Sequence, residues 1–165
     1  MVQVYYGLGK GKTTCAVGAA IRMAGAGKKV LFLQFFKNGS SSECNILKSL
    51  DNIDFFVPDE KYQLFKNITS KKQELLKNSY NNLINNINKN YDMIVLDEIL
   101  DAVKLNIITI KTVEDLFFNF KNTEFVLTGH QKIPEIFEQS DYITEFKEEK
   151  HPFKKGIFAR KGIEY

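Results

Sequence analysis

The chain has 165 residues, 44% of them hydrophobic, which suits one domain with a real core that buries roughly 70% of the unfolded chain's surface. Its net charge of +3, from 23 basic and 20 acidic residues, is too mild and too scattered for a nucleic-acid footprint. Cys15 and Cys44 have neither C-x-x-C spacing nor a histidine nearby, which fits reduced thiols in a cytoplasmic protein and argues against a disulfide or a metal pair.

The stretch "VQVYY" is a short β-branched and aromatic run that predicts a first strand. A glycine-rich loop follows Met1 so soon that no signal peptide is expected. "KTTCAVGAAIRMAGAG" predicts a buried helix stopped by Gly25 and Gly27. "KKVLFLQFF" is continuously apolar, as a parallel strand covered on both faces should be. The loop "NGSSSE", a short helix over residues 45–50 and the strand "NIDFFV", ended by Pro58, come next. "DEKYQLFKN" reads as a loop. Ser70 and Gln73 have capping-box spacing and open a long polar helix whose inward stripe is Leu75, Leu76, Leu83, Ile84 and Ile87. "YDMIVLDE" is a fourth strand, followed by helices over residues 99–105 and 112–120. "TEFVLTG" and "DYITEF" are the fifth and sixth strands, with a helix over residues 134–139 between them. The weak alternation of "GIFARKGIEY" suggests a terminal hairpin. Strand–helix alternation throughout means an α/β fold with a parallel sheet. No apolar run is long enough to cross a membrane.

"YYGLGKGKTT" ends like a phosphate-binding loop, with Gly11, Lys12 and Thr13 as its G-K-[ST]. The usual G-x-x-x-x-G-K-[ST] needs a glycine at position 6. Tyr6 stands there, and Gly7 is one residue too close. A strand entering a glycine-rich turn and then a helix aims backbone N–H groups at an anion. Gly7, Gly9 and Gly11 permit close backbone approach, Lys12 adds a fixed charge, Thr13 is placed to bind Mg²⁺, and Thr14 can reach another phosphate oxygen. The alternative is a chance glycine-rich turn, disfavoured by its place between the first strand and a helix. "MIVLDE" has the form of a Walker B strand, bringing Asp97 and Glu98 to the sheet edge where ligands bind. Such carboxylates are hard ligands for Mg²⁺, with Glu98 as direct or water-mediated ligand and Asp97 as its support. Otherwise they are a solvated pair at a strand end. The expected architecture is one P-loop NTPase-like (RecA-like) domain over residues 1–165, a mostly parallel six-stranded sheet with helices on both faces.

Several segments in their order along the chain, "VYYGLGKGKTTCAVGAAIRMAGAGKKVLFLQFFKNG", "YDMIVLDEIL", "VLTGH", "SDYITEF" and "HPFKKGIFARKGIEY", resemble the P-loop ATP:corrinoid adenosyltransferases, the CobA/BtuR family. The resemblance covers nearly the whole chain. It implies transfer of the 5′-deoxyadenosyl group of ATP to Co(I) of a corrinoid, cobalamin or a precursor such as cobyrinic acid a,c-diamide, with release of triphosphate. The setting is cobalamin biosynthesis or salvage. It also implies a compact loop that holds ATP reversed relative to ordinary P-loop enzymes, so that C5′ rather than the γ-phosphorus reacts. Implied catalytic residues are Lys12, Thr13 and Glu98. Implied binding residues are Gly7, Leu8, Gly9, Lys10, Gly11, Lys12, Thr13, Thr14, Gln34, Lys37, Thr128, Gly129 and His130, with Thr13, Asp97 and Glu98 at the metal. His130 stands where the family carries arginine.

On the corrinoid side the resemblance points to a loop after the third strand whose aromatic residue covers the lower corrinoid face. Phe65 is the candidate, with Leu64 and Tyr62 as alternatives, and Lys66 replaces a tryptophan common in relatives. Glu145 and His151 sit in the terminal signature, and "GIEY" either packs on the sheet or helps form the nucleotide pocket. The chain begins at its first strand, so the N-terminal cover of some relatives is expected to be missing or supplied otherwise. A reduced flavoprotein donor and a homodimer are the implied partners, with neither nucleic acid nor membrane. The competing functions are a P-loop NTPase or small-molecule kinase, and an ATP- or corrinoid-binding protein without catalysis.

Overall fold

The computed structural model describes residues 1–57, 69–87 and 90–165, with Ser70 and Lys72 described by their backbone alone. Its strands are β1 (Val2–Tyr6), β2 (Val30–Gln34), β3 (Ile53–Phe56), β4 (Met93–Asp97), β5 (Glu124–Gly129) and β6 (Tyr142–Glu145). Its helices are α1 (Lys12–Gly25), α2 (Ser42–Ser49), α3 (Ser70–Asn85), α4 (Ile99–Lys104), α5 (Ile110–Asn119) and α6 (Pro134–Glu138). One sheet runs in the order β3-β2-β4-β5-β1-β6, and each pairing is parallel. The all-parallel sheet sharpens the expectation of a mostly parallel one.

The continuous apolar runs work because alternate residues serve opposite faces. Leu31 and Leu33 of β2, with Ile94 and Leu96 of β4, pack against Leu76 and Tyr80 of α3 and Leu100 of α4. Val30, Phe32, Met93 and Val95 point the other way, against Ala16 and Ala20 of α1 and Leu47 of α2. Helices therefore cover both faces. In the register, Gln34 lies opposite Asp97 and Tyr6 opposite both Gly129 and Glu145. Five strand ends thus meet at one edge of the sheet. Strand β5 separates β1, which feeds the glycine loop, from β4, which carries the carboxylates.

Some local expectations need correction. Helix α1 buries only Lys12, Ala16 and Ala20, while Ile21 and much of the rest faces solvent. Its alanines are small enough to lie against the sheet without making the whole segment core. Helix α2 begins at Ser42, three residues before the expected start. On α3, Leu76 and Ile84 are buried but Leu75 is exposed. Tyr80 completes the inward face instead, with its hydroxyl accepting the Phe36 N–H at 2.8 Å. The capping role expected of the Ser70 side chain lies outside the described residues. Gln73 donates to the Leu105 carbonyl at 2.8 Å rather than reaching back to the helix start. The tail forms a 3₁₀ turn, Pro152–Lys155, and a turn near residues 161–164 in place of a hairpin. The loop with Tyr62, Leu64, Phe65 and Lys66, and Pro58 before it, lie outside the described residues.

The division of α3 is directly testable. Leu76→Ala is expected to cost roughly 2–5 kcal/mol, as other buried leucine truncations do. Leu75→Ala, on the wet side, should stay within about 0.5 kcal/mol of the parent. Urea unfolding of both variants reads the difference, and equal losses would contradict this orientation of the helix.

Candidate active site

The short glycine loop owes its shape to a distant segment. Just after β1, Gly7 has φ +110°, and a Cβ there would stand 2.5 Å from the Phe146 carbonyl oxygen. Any side chain would meet both a disfavoured backbone conformation and a backbone collision. The Phe146 N–H donates to the Tyr6 carbonyl at 2.7 Å, and the Gly9 N–H donates to the Phe146 carbonyl at 2.6 Å. The Phe146 ring meets Tyr5 edge-on at 6.1 Å. The chain leaving β6 therefore clamps the loop from outside. Gly7→Ala is expected to lose about 1–3 kcal/mol of stability through backbone strain, with ATP binding impaired. An unchanged melting temperature with unchanged ATP affinity would contradict this account of the clamp.

At the helix entrance, Lys12 is 7% exposed, and its Nζ donates to the Gly9 carbonyl at 2.9 Å. Burial pulls its ammonium below the usual lysine value, opposed by the carboxylates of Glu98, Asp101 and Asp97. Thr13 donates from its hydroxyl to Asp97 Oδ1 at 3.0 Å. The same hydroxyl accepts from Lys37 Nζ at 3.0 Å.

Asp97, fully buried at the end of β4, is the hub of this edge. Its Oδ1 also accepts from Thr128 at 2.7 Å. Its Oδ2 accepts from Lys37 at 2.8 Å and from Gln34 at 3.2 Å. The Thr128 hydroxyl in turn accepts the Glu98 N–H at 2.8 Å. Burial opposes the charge on Lys37, but Asp97 outweighs it and holds the ammonium above its usual value. Gln34, Lys37, Thr128 and Thr13 thus converge on one carboxylate. The support that Asp97 gives runs to Thr13 and Lys37 as well as toward Glu98 through Thr128.

Glu98 turns the chain from β4 into α4 with φ +66°. The expected site omits the next acidic side chain on that helix face, Asp101, although D-E-x-x-D spacing places it one turn beyond Glu98. Both are nearly buried, at 7% and 5% exposure. The His130 backbone N–H donates to Asp101 Oδ2 at 2.8 Å. Its ring Nδ1 lies 3.2 Å from that oxygen and 3.5 Å from Glu98 Oε2. Asp101 and then Glu98 raise His130 to about 9. Burial, with Asp97 nearby, pushes Glu98 above the usual carboxylate value. Burial pushes Asp101 up too, but its contacts with His130 and Glu98 prevail and hold it below. Gly129 makes the approach possible, since a Cβ there would fall 2.7 Å from both Asp101 Oδ2 and Leu100 Cβ.

An open cleft of ≈ 360 Å³ lies beside the loop, within the size range of small-ligand sites. Lys10, Gly11, Lys12, Thr13, Thr14, Lys37 and Glu98 reach its wall, opposite Ser41, Ser42 and Glu43. Gly7, Leu8, Gly9, Gln34, Asp97, Thr128, Gly129 and His130 stand behind or beside that wall rather than on it, and Leu8 is 73% exposed. Of the two roles open to "GIEY", the structure selects the pocket: Gly162 to Tyr165 line the cleft. The Ser42 hydroxyl donates to a Tyr165 main-chain oxygen at 3.1 Å, and Arg160 grips Glu164 through its backbone N–H, Nε and Nη2. His151 caps the 3₁₀ turn, its Nδ1 accepting the Phe153 N–H at 3.2 Å. Lys10, Lys12 and Lys37 at a helix N-terminus give this side of the cleft groups that suit an anion, while Glu43, Glu98 and Glu164 reach the same cleft.

Comparison with known proteins gives the same direction. The family model described as "ATP:corrinoid adenosyltransferase BtuR/CobO/CobP" matches residues 1–165. The chain is 30% identical over 171 residues to the corrinoid adenosyltransferase of Escherichia coli (strain K12), spanning 100% of this chain and 85% of that protein. It is 29% identical over 169 residues to the corrinoid adenosyltransferase of Pseudomonas aeruginosa, spanning 98% and 82%. To the corrinoid adenosyltransferase CobA of Salmonella typhimurium it is 29% identical over 171 residues, spanning 100% and 85%. Among the described residues no helix is long and apolar enough to cross a membrane.

Proposed function

The chain belongs to the ATP:corrinoid adenosyltransferase BtuR/CobO/CobP family, and from that premise we propose how its residues transfer an adenosyl group to a corrinoid. The enzyme moves the 5′-deoxyadenosyl group of ATP to cobalt. Co(I) of the bound corrinoid attacks C5′ with its electron pair, the cobalt–carbon bond forms, and the C5′–oxygen bond breaks. The bonding pair leaves with triphosphate. Co(I) carries no proton, so no general base is needed. The protein has two tasks, aligning cobalt with C5′ and stabilising charge on the leaving group.

The observation that carries the assignment is the lysine-lined cleft with buried Lys12 at its floor. In this reading the triphosphate lies against the N–H groups of residues 10–14, the Gly9 N–H being held by the Phe146 carbonyl. Lys12 meets the charge that develops as the C5′–oxygen bond breaks. Lys10 and Lys37 neutralise the outer phosphates, and the Gly162–Tyr165 turn closes the far wall. Gln34 and Thr128 act at one remove, by holding Asp97. The Thr13 hydroxyl and the Glu98 carboxylate are hard oxygen donors on the cleft wall and fit Mg²⁺ carried in with ATP. Bound there, Mg²⁺ supplies further positive charge to the triphosphate. Phe65 is our candidate for the lower corrinoid face, and His130 for the edge of the nucleotide site. A homodimer, a cytoplasmic setting, a reduced flavoprotein donor and a role in cobalamin biosynthesis or salvage complete the proposal. The 165 residues act together as one catalytic unit.

The test is product analysis. Purified protein, ATP, Mg²⁺ and chemically reduced corrinoid should yield adenosylated corrinoid and intact triphosphate. With γ-labelled ATP, label in free phosphate and no cobalt–carbon bond would instead identify an NTPase or kinase. Binding of both substrates without turnover under strong reductant would identify a carrier.

A further inference from the structure

We propose that Glu98, Asp101 and His130 form a binding site for one borderline divalent transition-metal cation of the Zn²⁺ type. This site shares Glu98 with the Mg²⁺ site proposed on the nucleotide and differs from it by its imidazole ligand. One ligand atom from each of the three side chains lies within 4.8 Å of the other two. The spacings from His130 Nδ1 are 3.2 Å to Asp101 Oδ2 and 3.5 Å to Glu98 Oε2. A tetrahedral ion with bonds of about 2.0–2.1 Å holds neighbouring ligands about 3.3–3.4 Å apart. Two edges of such a tetrahedron are therefore already present.

A second observation points to a ligand. Among the described residues, Glu98 Oε2 is a buried side-chain oxygen with no hydrogen bond. His130 Nδ1 is its neighbour at ion-pair range but lacks hydrogen-bond geometry. Buried carboxylate oxygens are seldom left so. An imidazole nitrogen in the set selects Zn²⁺ and its neighbours in the first transition row over Mg²⁺, which prefers oxygen. The His130 side chain is 38% exposed while both carboxylates are nearly buried. The exposed imidazole leaves an entry path for an ion. Binding replaces the proton that the imidazole otherwise shares with the carboxylates. Because Glu98 also faces the nucleotide cleft, a Zn²⁺ ion here draws on the carboxylate that Mg·ATP would use.

The test uses the full chain, stripped of metal, without ATP or corrinoid, so its outcome is independent of whether adenosyl transfer occurs. Calorimetric titration with Zn²⁺ should show one equivalent bound in the presence of millimolar Mg²⁺. Titration with Co²⁺ should give visible d–d bands, and in NMR spectra paramagnetically shifted ring protons of one histidine. His130→Asn should weaken Zn²⁺ binding by at least roughly 100-fold, more than loss of an outer partner usually does. His151→Asn and Cys15→Ser should leave it unchanged. The reading is overturned if no stoichiometric ion binds, if binding survives His130→Asn undiminished, or if it disappears with His151→Asn or Cys15→Ser. Should His130→Asn fail to fold by circular dichroism, the Co²⁺ spectrum of the parent protein decides alone. Absence of shifted histidine protons there would also overturn the proposal.

Discussion

Replacing Lys12 with alanine is expected to lower adenosyl transfer by about 10²–10³-fold, the usual effect of deleting one preorganised charge-stabilising donor. The fold should survive. The ammonium's hydrogen bond at the loop is a single one, to the Gly9 carbonyl. What disappears is a cation held in a nearly water-free position, where its field on a developing negative charge is strong. Burial already disfavours that charge in the free protein, so a polyanion in the cleft should relieve an existing cost. Steady-state product formation and a thermal melt together check the claim. Unchanged turnover would remove Lys12 from the mechanism, and lost turnover with a collapsed melt would make its role structural.

Asp97→Ala should produce the largest loss of stability, about 3–5 kcal/mol, as expected when one partner of a buried ion pair is removed. That is a large part of a typical domain's 5–15 kcal/mol. Asp97 is fully buried and accepts from Thr13, Thr128, Gln34 and Lys37. Its loss leaves the half-buried Lys37 ammonium without its carboxylate. The Asp97→Ala/Lys37→Ala double variant should recover part of the loss, since the orphaned cation goes too. Denaturant unfolding of the four proteins in that cycle measures the coupling. Strictly additive losses would mean that the network does not act as a unit.

The sheet was readable because each strand is an apolar run of the right length, and parallel strands need both faces apolar. Sequence spacing alone also marked the loop and the D-E pair. The contacts between them were not readable. Lys37 meets Asp97, and His130 meets Asp101, because β2 and β5 both flank β4, and strand order is invisible to local pattern. Asp101 carries no such signal, because one aspartate on a short helix usually faces water, and here the end of β5 lies against it. Tyr80 lies outside the aliphatic stripe that the sequence marks on the polar helix, since its hydroxyl masks a ring that the fold buries. The tail misled for a different reason. Its weak alternation looked like strand, but the Arg160–Glu164 pair and the glycine at 162, with φ +77°, organise a turn. Alanines in α1 looked like core because alanine is at home on either side of a helix.

The Phe146 clamp has a consequence for how the protein comes into being. The loop that follows β1 is translated before most of the chain, yet the backbone hydrogen bonds of Gly9 and of Tyr6 at the strand's end wait for Phe146. Strand β1 itself pairs only with β5 and β6, so it must remain unpaired on the ribosome while β2 and β4 can already join. Such long-range closure is slow. The finished shape of the glycine loop should therefore arise as one of the last events of synthesis.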